Sequence, residues 1–350
     1  MVVCGPRAAR QQWMQELVAA AGRPVEVFSE VEPDPSDATV AAAGRRAAEA
    51  GARILVAVGG GSSIDASKAA AVEAVAPGWI FAQDRPGQAT QITADPLPVV
   101  AVPTTAGTGS EVTPFSVITF SESRRKLVLN HPRLFPRAAI LDPALLVTAP
   151  RHVRVAAGMD ALTHAVESFT STQATDRSRA RAWAAMAQLY AHLEAACNEP
   201  PSRAGLWRLQ WAAMIAGLAF AHSRLGIVHA MALPLSALFG VPHGVANAIL
   251  LPYGMRFNAP AAVRYYSEVA RAFGIEAAPE EAAAKAAEAV RSLAVRLGAP
   301  LSMSEVGVPE AAIERMAADA ICSAHIRVNP RPIELADLVA VYRQALHGQW

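Results

Sequence analysis

The residues able to do chemistry in this 350-residue chain fall into a few short segments. Gly158-Met-Asp-Ala-Leu-Thr-His sets Asp160 and His164 four apart, one helical turn, so both side chains share a face. Such a pair also serves as an ordinary surface contact on a helix. Here Val155-Ala-Ala-Gly-Met precedes it and Ala-Val-Glu-Ser-Phe follows, so two polar groups stand in an apolar helix and need a buried partner. His229, in Leu225-Gly-Ile-Val-His-Ala-Met-Ala-Leu, and His243, in Gly240-Val-Pro-His-Gly, have equally apolar neighbours. A lone histidine of this kind is usually a satisfied core residue. One carboxylate and three imidazoles together make the donor set of a divalent first-row ion such as iron(II) or zinc. Gly240 and Pro242 break any single helix between His229 and His243, so these two come from a helix and the turn that follows it.

Two further segments suit an anionic ligand. Ile54-Leu-Val-Ala-Val-Gly-Gly-Gly-Ser-Ser-Ile-Asp-Ala-Ser-Lys reads as a buried strand, a turn at Gly59, Gly60 and Gly61, and a helix from Ser62. Glycines permit close approach, and free amides at a helix N-terminus favour a pyrophosphate. A tight turn with Ser62 as N-cap and Asp65 as a helix-start acid would look the same. The pattern is not G-x-G-x-x-G. Leu97-Pro-Val-Val-Ala-Val then runs into Pro103-Thr-Thr-Ala-Gly-Thr-Gly-Ser-Glu, a hydroxyl-rich loop at what would be the carboxyl end of a parallel sheet, where ligands bind.

The elements that must carry these groups follow from periodicity. The β-type runs Met1–Cys4, Val25–Phe28, Ile54–Val58 and Val99–Val102 alternate with helical stretches Ala8–Ala21, Pro35–Ala50 and Ser62–Val75, which predicts βαβ units and a parallel sheet. From Arg154 the strand signal fades, and Ala180–Ala196, Leu206–Ala221 and Glu280–Leu297 carry helical spacing. The division expected is an α/β dinucleotide-binding domain, 1–150, and an all-helical metal- and substrate-binding domain, 151–350, with turn chemistry from Leu141 to Pro150 between them. Hydrophobic residues are 53%, charged residues 17% and the net charge +1, so the chain has no overall field for nucleic acid or an anionic membrane. Leu225 to Val241 is short for a span and carries His229, Pro234 and Gly240, so it reads as a core helix and its exit. Three cysteines, Cys4, Cys197 and Cys322, lack C-x-x-C spacing, and the N-terminus shows no secretory pattern. Both point to a reducing cytoplasm.

Gly59-Gly-Gly-Ser-Ser-Ile-Asp, Pro103-Thr-Thr-Ala-Gly-Thr-Gly-Ser-Glu, Gly158-Met-Asp-Ala-Leu-Thr-His-Ala-Val-Glu-Ser, and His229 through Pro242-His-Gly-Val-Ala-Asn-Ala-Ile-Leu-Leu-Pro, with Asn329-Pro-Arg-Pro near the end, together resemble the iron-containing (group III, metal-dependent) alcohol dehydrogenases. The resemblance spans nearly the whole chain. It implies a Rossmann-like N-terminal domain and an all-α C-terminal domain in the dehydroquinate synthase-like plan, with metal and substrate held in a cleft. It also implies Asp160, His164, His229 and His243 as metal ligands. Gly59, Gly60, Gly61, Ser62 and Asp65 match the pyrophosphate turn, Thr104, Thr105, Thr108 and Ser110 the second cofactor loop, and Lys126 completes the cofactor set. Phe220, Leu225 and Leu233 fall at substrate-lining positions. The implied reaction is hydride exchange between nicotinamide C4 and the carbonyl of a small aldehyde or ketone, in a homodimer or larger homo-oligomer.

Three departures from that family stand out. Relatives usually carry a further segment ahead of the opening strand, whereas this chain starts at Val2-Val3-Cys4. The end of that strand, often acidic in relatives, is Gly5, with Arg7 and Arg10 close behind, which predicts NADP(H) in preference to NAD(H). Where relatives read His-x-Met-Ala-His-Pro-Leu-Gly, this chain reads His229-Ala-Met-Ala-Leu-Pro-Leu-Ser, so a histidine of proton transfer is replaced by Leu233. His325 is then the expected donor or substrate contact, His222 the second choice, and Arg327 an anchor for an anionic substrate; relay through water and the cofactor ribose is the alternative. Rival classes are a dehydroquinate-synthase-like cyclase, which needs more Lys and Arg than this site sequence offers, a metal-free maleylacetate-type reductase, which should lack the full Asp/His set, and a non-catalytic relative.

Overall fold

The computed structural model describes residues 1–85, 91–123 and 125–350. The chain divides into two compact units, one of Met1–Thr105 with Ser110–Leu145, the other of Ala106–Gly109 with Leu146–Trp350. The second begins five residues before the expected break, and it also takes four residues from the hydroxyl-rich loop. Those four pack by backbone: a Cβ on Gly107 would lie 2.7 Å from the Ala157 carbonyl oxygen, and one on Gly109 2.7 Å from Gly217 Cα.

The first unit is a parallel five-stranded sheet with helices. Its strands are β1 (Val2–Cys4), β2 (Val27–Phe28), β3 (Leu55–Gly59), β4 (Val99–Pro103) and, after the β5–β6 hairpin (Phe115–Phe120, Arg125–Asn130), β7 (Ala138–Ala139). The order β2-β1-β3-β4-β7 is parallel throughout, and β5 and β6 form a separate antiparallel pair. The hairpin was not anticipated, although Phe115–Phe120 alternates strictly between buried and half-buried residues. The predicted helix Ala8–Ala21 is two pieces, α1 (Pro6–Ala9) and α2 (Gln12–Ala20), because Gln11 takes an extended conformation between them. The helices α3 (Asp37–Glu49) and α4 (Gly61–Glu73) pack together, α4 lies against β3, and α5 (Trp79–Ala82) follows. Val3, Leu55, Ala57, Ile64 and Ala101 are fully buried in this core.

The second unit is helical: α6 (Arg151–Thr170), α7 (Asp176–Cys197), α8 (Arg203–Ser223), α9 (Ile227–Phe239), α10 (His243–Asn258), α11 (Val263–Ala272), α12 (Pro279–Leu297), α13 (Ile313–Ile321) and α14 (Leu335–His347). Met159, Leu162, Met186, Leu189, Met231, Leu250 and Leu293 are among its buried residues. Ala-rich faces let α6, α7 and α8 approach closely. Among the described residues no single helix is long and apolar enough to cross a membrane; α8 and α9 pass such a test only as a pair bent by 104°. Helix α9 lies in the helical core, as the reading of Leu225–Val241 expected, and ends where Gly240 adopts a left-handed conformation. All three cysteines are free thiols, Cys4 and Cys197 buried and Cys322 exposed.

Candidate active site

The central helix of the site is α6. Asp160, His164 and Glu167 follow at i, i+4 and i+7, so one face of α6 presents all three, each buried. His229 comes from the first turn of α9 and His243 opens α10. The Nε2 atoms of His164, His229 and His243 each lie 3.7 Å from the same oxygen, Asp160 Oδ1. The donor atoms of Asp160, His229 and His243 are all within 4.8 Å of one another. His164 turns a ring nitrogen toward this set only at Asp160, and its ring stacks on that of His229, 4.7 Å away, and on that of Phe220, 4.4 Å away. Its Nδ1 is 3.2 Å from the Gly107 carbonyl, which leaves Nε2 turned toward Asp160.

Ions with metal–ligand bonds of about 2.1 Å bring tetrahedral donors to roughly 3.4 Å of one another, so separations of 3.7 Å suit a cation among them. Burial opposes charge on Asp160, yet the surrounding imidazoles of His164, His229 and His243 hold its carboxyl below the usual carboxylate range. Burial drives His164 down to about 4, leaving it a neutral imidazole with a free lone pair. Burial also works against charge on His229, but hydrogen bonds to Asp160 and Glu167 outweigh it and raise the ring to about 9. Two carboxylates thus compete for positive charge on one ring, a charge that a cation shared by Asp160 and His229 would also supply.

Glu167 was overlooked in the sequence, although it continues the i, i+4 series by one turn. Its Oε2 lies 2.6 Å from His229 Nδ1, and its Oε1 accepts from the Val228 amide at 2.7 Å, so it orients the imidazole and occupies the positive end of α9. Gly226 makes this approach possible, because a Cβ there would lie 3.0 Å from Glu167 Oε1 and 2.9 Å from Asn329 Oδ1. Asn329 Oδ1 accepts from the Ile227 amide, capping the same helix end. Asn247 was also overlooked. It follows His243 by one turn, and its Nδ2 lies 2.6 Å from Asp160 Oδ1.

The substrate-side expectations divide. Phe220 and Leu225 are buried and Leu233 half-buried, Phe220 against His164. His325, in the short turn Ala324–Val328, brings its ring to 6.1 Å from that of His229. Burial and the neighbouring His229 push it down to about 4, so it stands neutral at pH 7 rather than titrating near it. His222 is exposed and turns Nδ1 back on the Leu218 carbonyl of its own helix, 3.3 Å away; Arg327 is exposed.

The glycine turn lies in the first unit. Gly59 has φ +150°, and a Cβ there would lie 2.8 Å from Ser63 Cβ, so only glycine fits. Helix α4 starts at Gly61 with Gly60 as N-cap and no side-chain cap. Ser62 is therefore not the cap; its Oγ accepts from the Asp34 amide at 3.2 Å. Thr104 and Thr105 are half-buried at the end of β4, and Thr108 is exposed. Asp65 and Ser110, read as cofactor residues, spend their side chains inside: Ser110 Oγ donates to Asp65 Oδ1, Lys68 Nζ lies 2.6 Å from Ser110 Oγ, and the Val117 amide donates to Asp65 Oδ2. A buried carboxylate and ammonium stabilise each other there, and such a pair cannot turn outward without leaving a charge unpaired. Lys126 is ion-paired to Asp34 at 2.8 Å.

A parallel sheet with a glycine turn into an uncapped helix, together with a helical unit presenting one carboxylate and imidazoles, defines a nucleotide-linked metalloenzyme plan. A family model described as iron-containing alcohol dehydrogenase matches residues 1–143, and one described as Fe-containing alcohol dehydrogenase family, C-terminal, matches 154–346. 1,3-Propanediol dehydrogenase of Klebsiella pneumoniae is 36% identical over 329 residues, 93% of this chain and 84% of the relative. Lactaldehyde reductase of Escherichia coli (strain K12) is 35% identical over 352 residues, covering 99% and 89%. A crystal structure of 1,3-propanediol oxidoreductase superposes with a TM-score of 0.93 at 33% identity, over 99% of this chain and 91% of that one. The chain belongs to the iron-containing alcohol dehydrogenases. It is a metal-dependent, nicotinamide-linked oxidoreductase of small alcohols and aldehydes.

Proposed function

We propose that Asp160, His229 and His243, with His164 as fourth donor, hold one divalent ion, Fe2+ or Zn2+, and that the enzyme reduces small aldehydes or ketones with NADPH in preference to NADH. The observation that carries the ligand assignment is the common 3.7 Å separation of three Nε2 atoms from Asp160 Oδ1. Bound there, the ion supplies a Lewis acid for a carbonyl oxygen, and the nicotinamide supplies the hydride. The chain's own part is to fix these lone pairs. Glu167 holds His229 by Nδ1, the Gly107 carbonyl holds His164, and Phe220 packs against the His164 face to keep water from it. The amides that follow Gly60 have no side-chain cap, which suits them to receive the cofactor's pyrophosphate.

Reduction adds hydride to carbon and needs a proton on oxygen. Leu233 can give none. His325, neutral and near His229, serves as a hydrogen-bonding contact that passes a proton from solvent without storing one. The cofactor preference is supported by the absence of a carboxylate at Gly5 and by exposed Arg7 and Arg10 in and beside α1. Gly5 also has a packing reason, since a Cβ there would lie 2.9 Å from the Val31 carbonyl oxygen. The test is therefore made on the arginines: kcat/KM with NADPH and NADH for the wild type and for Arg7→Ala and Arg10→Ala. A wild type that favours NADPH, and variants that lose that preference, support the reading; equal or NADH-favouring rates in the wild type refute it. Free thiols suit a cytoplasmic setting, and a homodimer or larger homo-oligomer is the proposed assembly, to be read by sedimentation.

A further inference from the structure

Two of the proposed ligands have a partner that fixes them from behind: Glu167 for His229 and the Gly107 carbonyl for His164. For Asp160 that partner is Asn247, and Asn247 reaches further. It is fully buried on α10, and Nδ2 lies 2.6 Å from Asp160 Oδ1, 3.1 Å from His243 Nε2 and 3.2 Å from His229 Nε2. The carboxylate is the strongest acceptor of the three, so the NH2 end must face it. That orientation leaves Asn247 Oδ1 buried with no hydrogen-bond partner. An orphaned buried carbonyl is costly, and leucine or methionine would fill a similar space without one. Packing therefore does not explain an amide here.

We infer that Asn247 is a positioning residue of the metal centre, whose amide N–H holds Asp160 Oδ1 in place so that an ion meets the carboxylate already oriented. This rests on the reading of Asp160, His229 and His243 as ligands. Without the amide, Asp160 is free to swing about its side-chain torsions, and the cost of gathering the donors falls on metal binding.

The experiment uses the full-length protein stripped of metal by a chelator, then titrated with Co2+ while its visible absorption bands are followed. Those bands report the number and arrangement of ligands, which a merely structural side chain would not alter. Asn247→Ala is expected to bind Co2+ about 10- to 100-fold more weakly than the wild type, with changed band intensity as Asp160 alters its mode of binding. Asn247→Ser, whose short hydroxyl does not reach Asp160, is the second variant and is expected to behave alike; circular dichroism confirms that each is folded. Folded variants with wild-type affinity and spectrum overturn the inference and leave the ligand assignment standing. A wild type that takes up no Co2+ overturns the ligand assignment, and the role of Asn247 with it.

Discussion

Replacing Glu167 with glutamine changes one atom type and hardly any volume, yet it should disable the metal site through a proton. Glu167 accepts two hydrogen bonds that matter, from Val228 N–H at 2.7 Å and from His229 Nδ1 at 2.6 Å. Glutamine has one carbonyl oxygen and can accept only one of them. If the oxygen serves Val228, the NH2 faces His229 Nδ1 and moves the ring proton to Nε2, where the lone pair is needed. If it serves His229, an amide hydrogen meets the Val228 N–H at the start of α9. Second-sphere losses of this kind weaken metal binding about 10- to 100-fold, which is roughly 1.4–2.7 kcal/mol. The assay is competition for Zn2+ between Glu167→Gln and a chromophoric chelator, with turnover measured at limiting and at saturating metal. Weaker binding, with activity partly recovered at saturating metal, is expected. Wild-type affinity in a folded variant would show that Glu167 does not set the His229 tautomer.

Other consequences are open to direct measurement. Lys68→Met leaves Asp65 a buried, unpaired carboxylate and should cost about 3–5 kcal/mol in chemical denaturation, whereas Asp65→Asn/Lys68→Met should cost clearly less; an equal loss in both would refute charge pairing as the cause. Burial pushes Cys4 and Cys197 up to about 11, so in native protein at pH 8 an alkylating reagent should modify Cys322 alone, and all three thiols after unfolding; native labelling at Cys4 or Cys197 would contradict their burial. Gly59→Ala should raise the KM for the nicotinamide cofactor with metal content unchanged, since the added Cβ meets Ser63; an unaltered KM would remove that turn from cofactor binding.

Much of this was legible in the sequence because it rests on local rules. Alternating strands and helices predict the parallel sheet, and the glycine turn after Ile54–Val58 is where β3 meets α4. Polar residues in apolar helices pointed to Asp160, His164, His229 and His243, and the folded chain turns the three imidazoles toward one carboxylate oxygen. The rest depends on which way a side chain turns. Asp65 sits on a fully buried stretch of α4, a helix without a polar face, so its carboxylate pairs inward with Lys68 and Ser110. Ala106–Gly109 looks like the rest of its loop, but glycine lets its backbone lie against the helices of the second unit. Glu167 and Asn247 were readable in principle, seven residues after Asp160 and four after His243. They were passed over because only the folded chain brings α9 and α10 to α6.

The most direct measurement is the metal dependence of turnover. Oxidation of NADPH by a short aldehyde should be lost when the enzyme is chelated and dialysed, and restored by Fe2+ or Zn2+ at about one ion per chain. His243→Ala, treated alike, should neither retain the ion nor recover activity. Full turnover by chelated enzyme shown to be metal-free, or an unimpaired His243→Ala, would contradict the assignment of the Asp160, His229 and His243 cluster as the catalytic metal site.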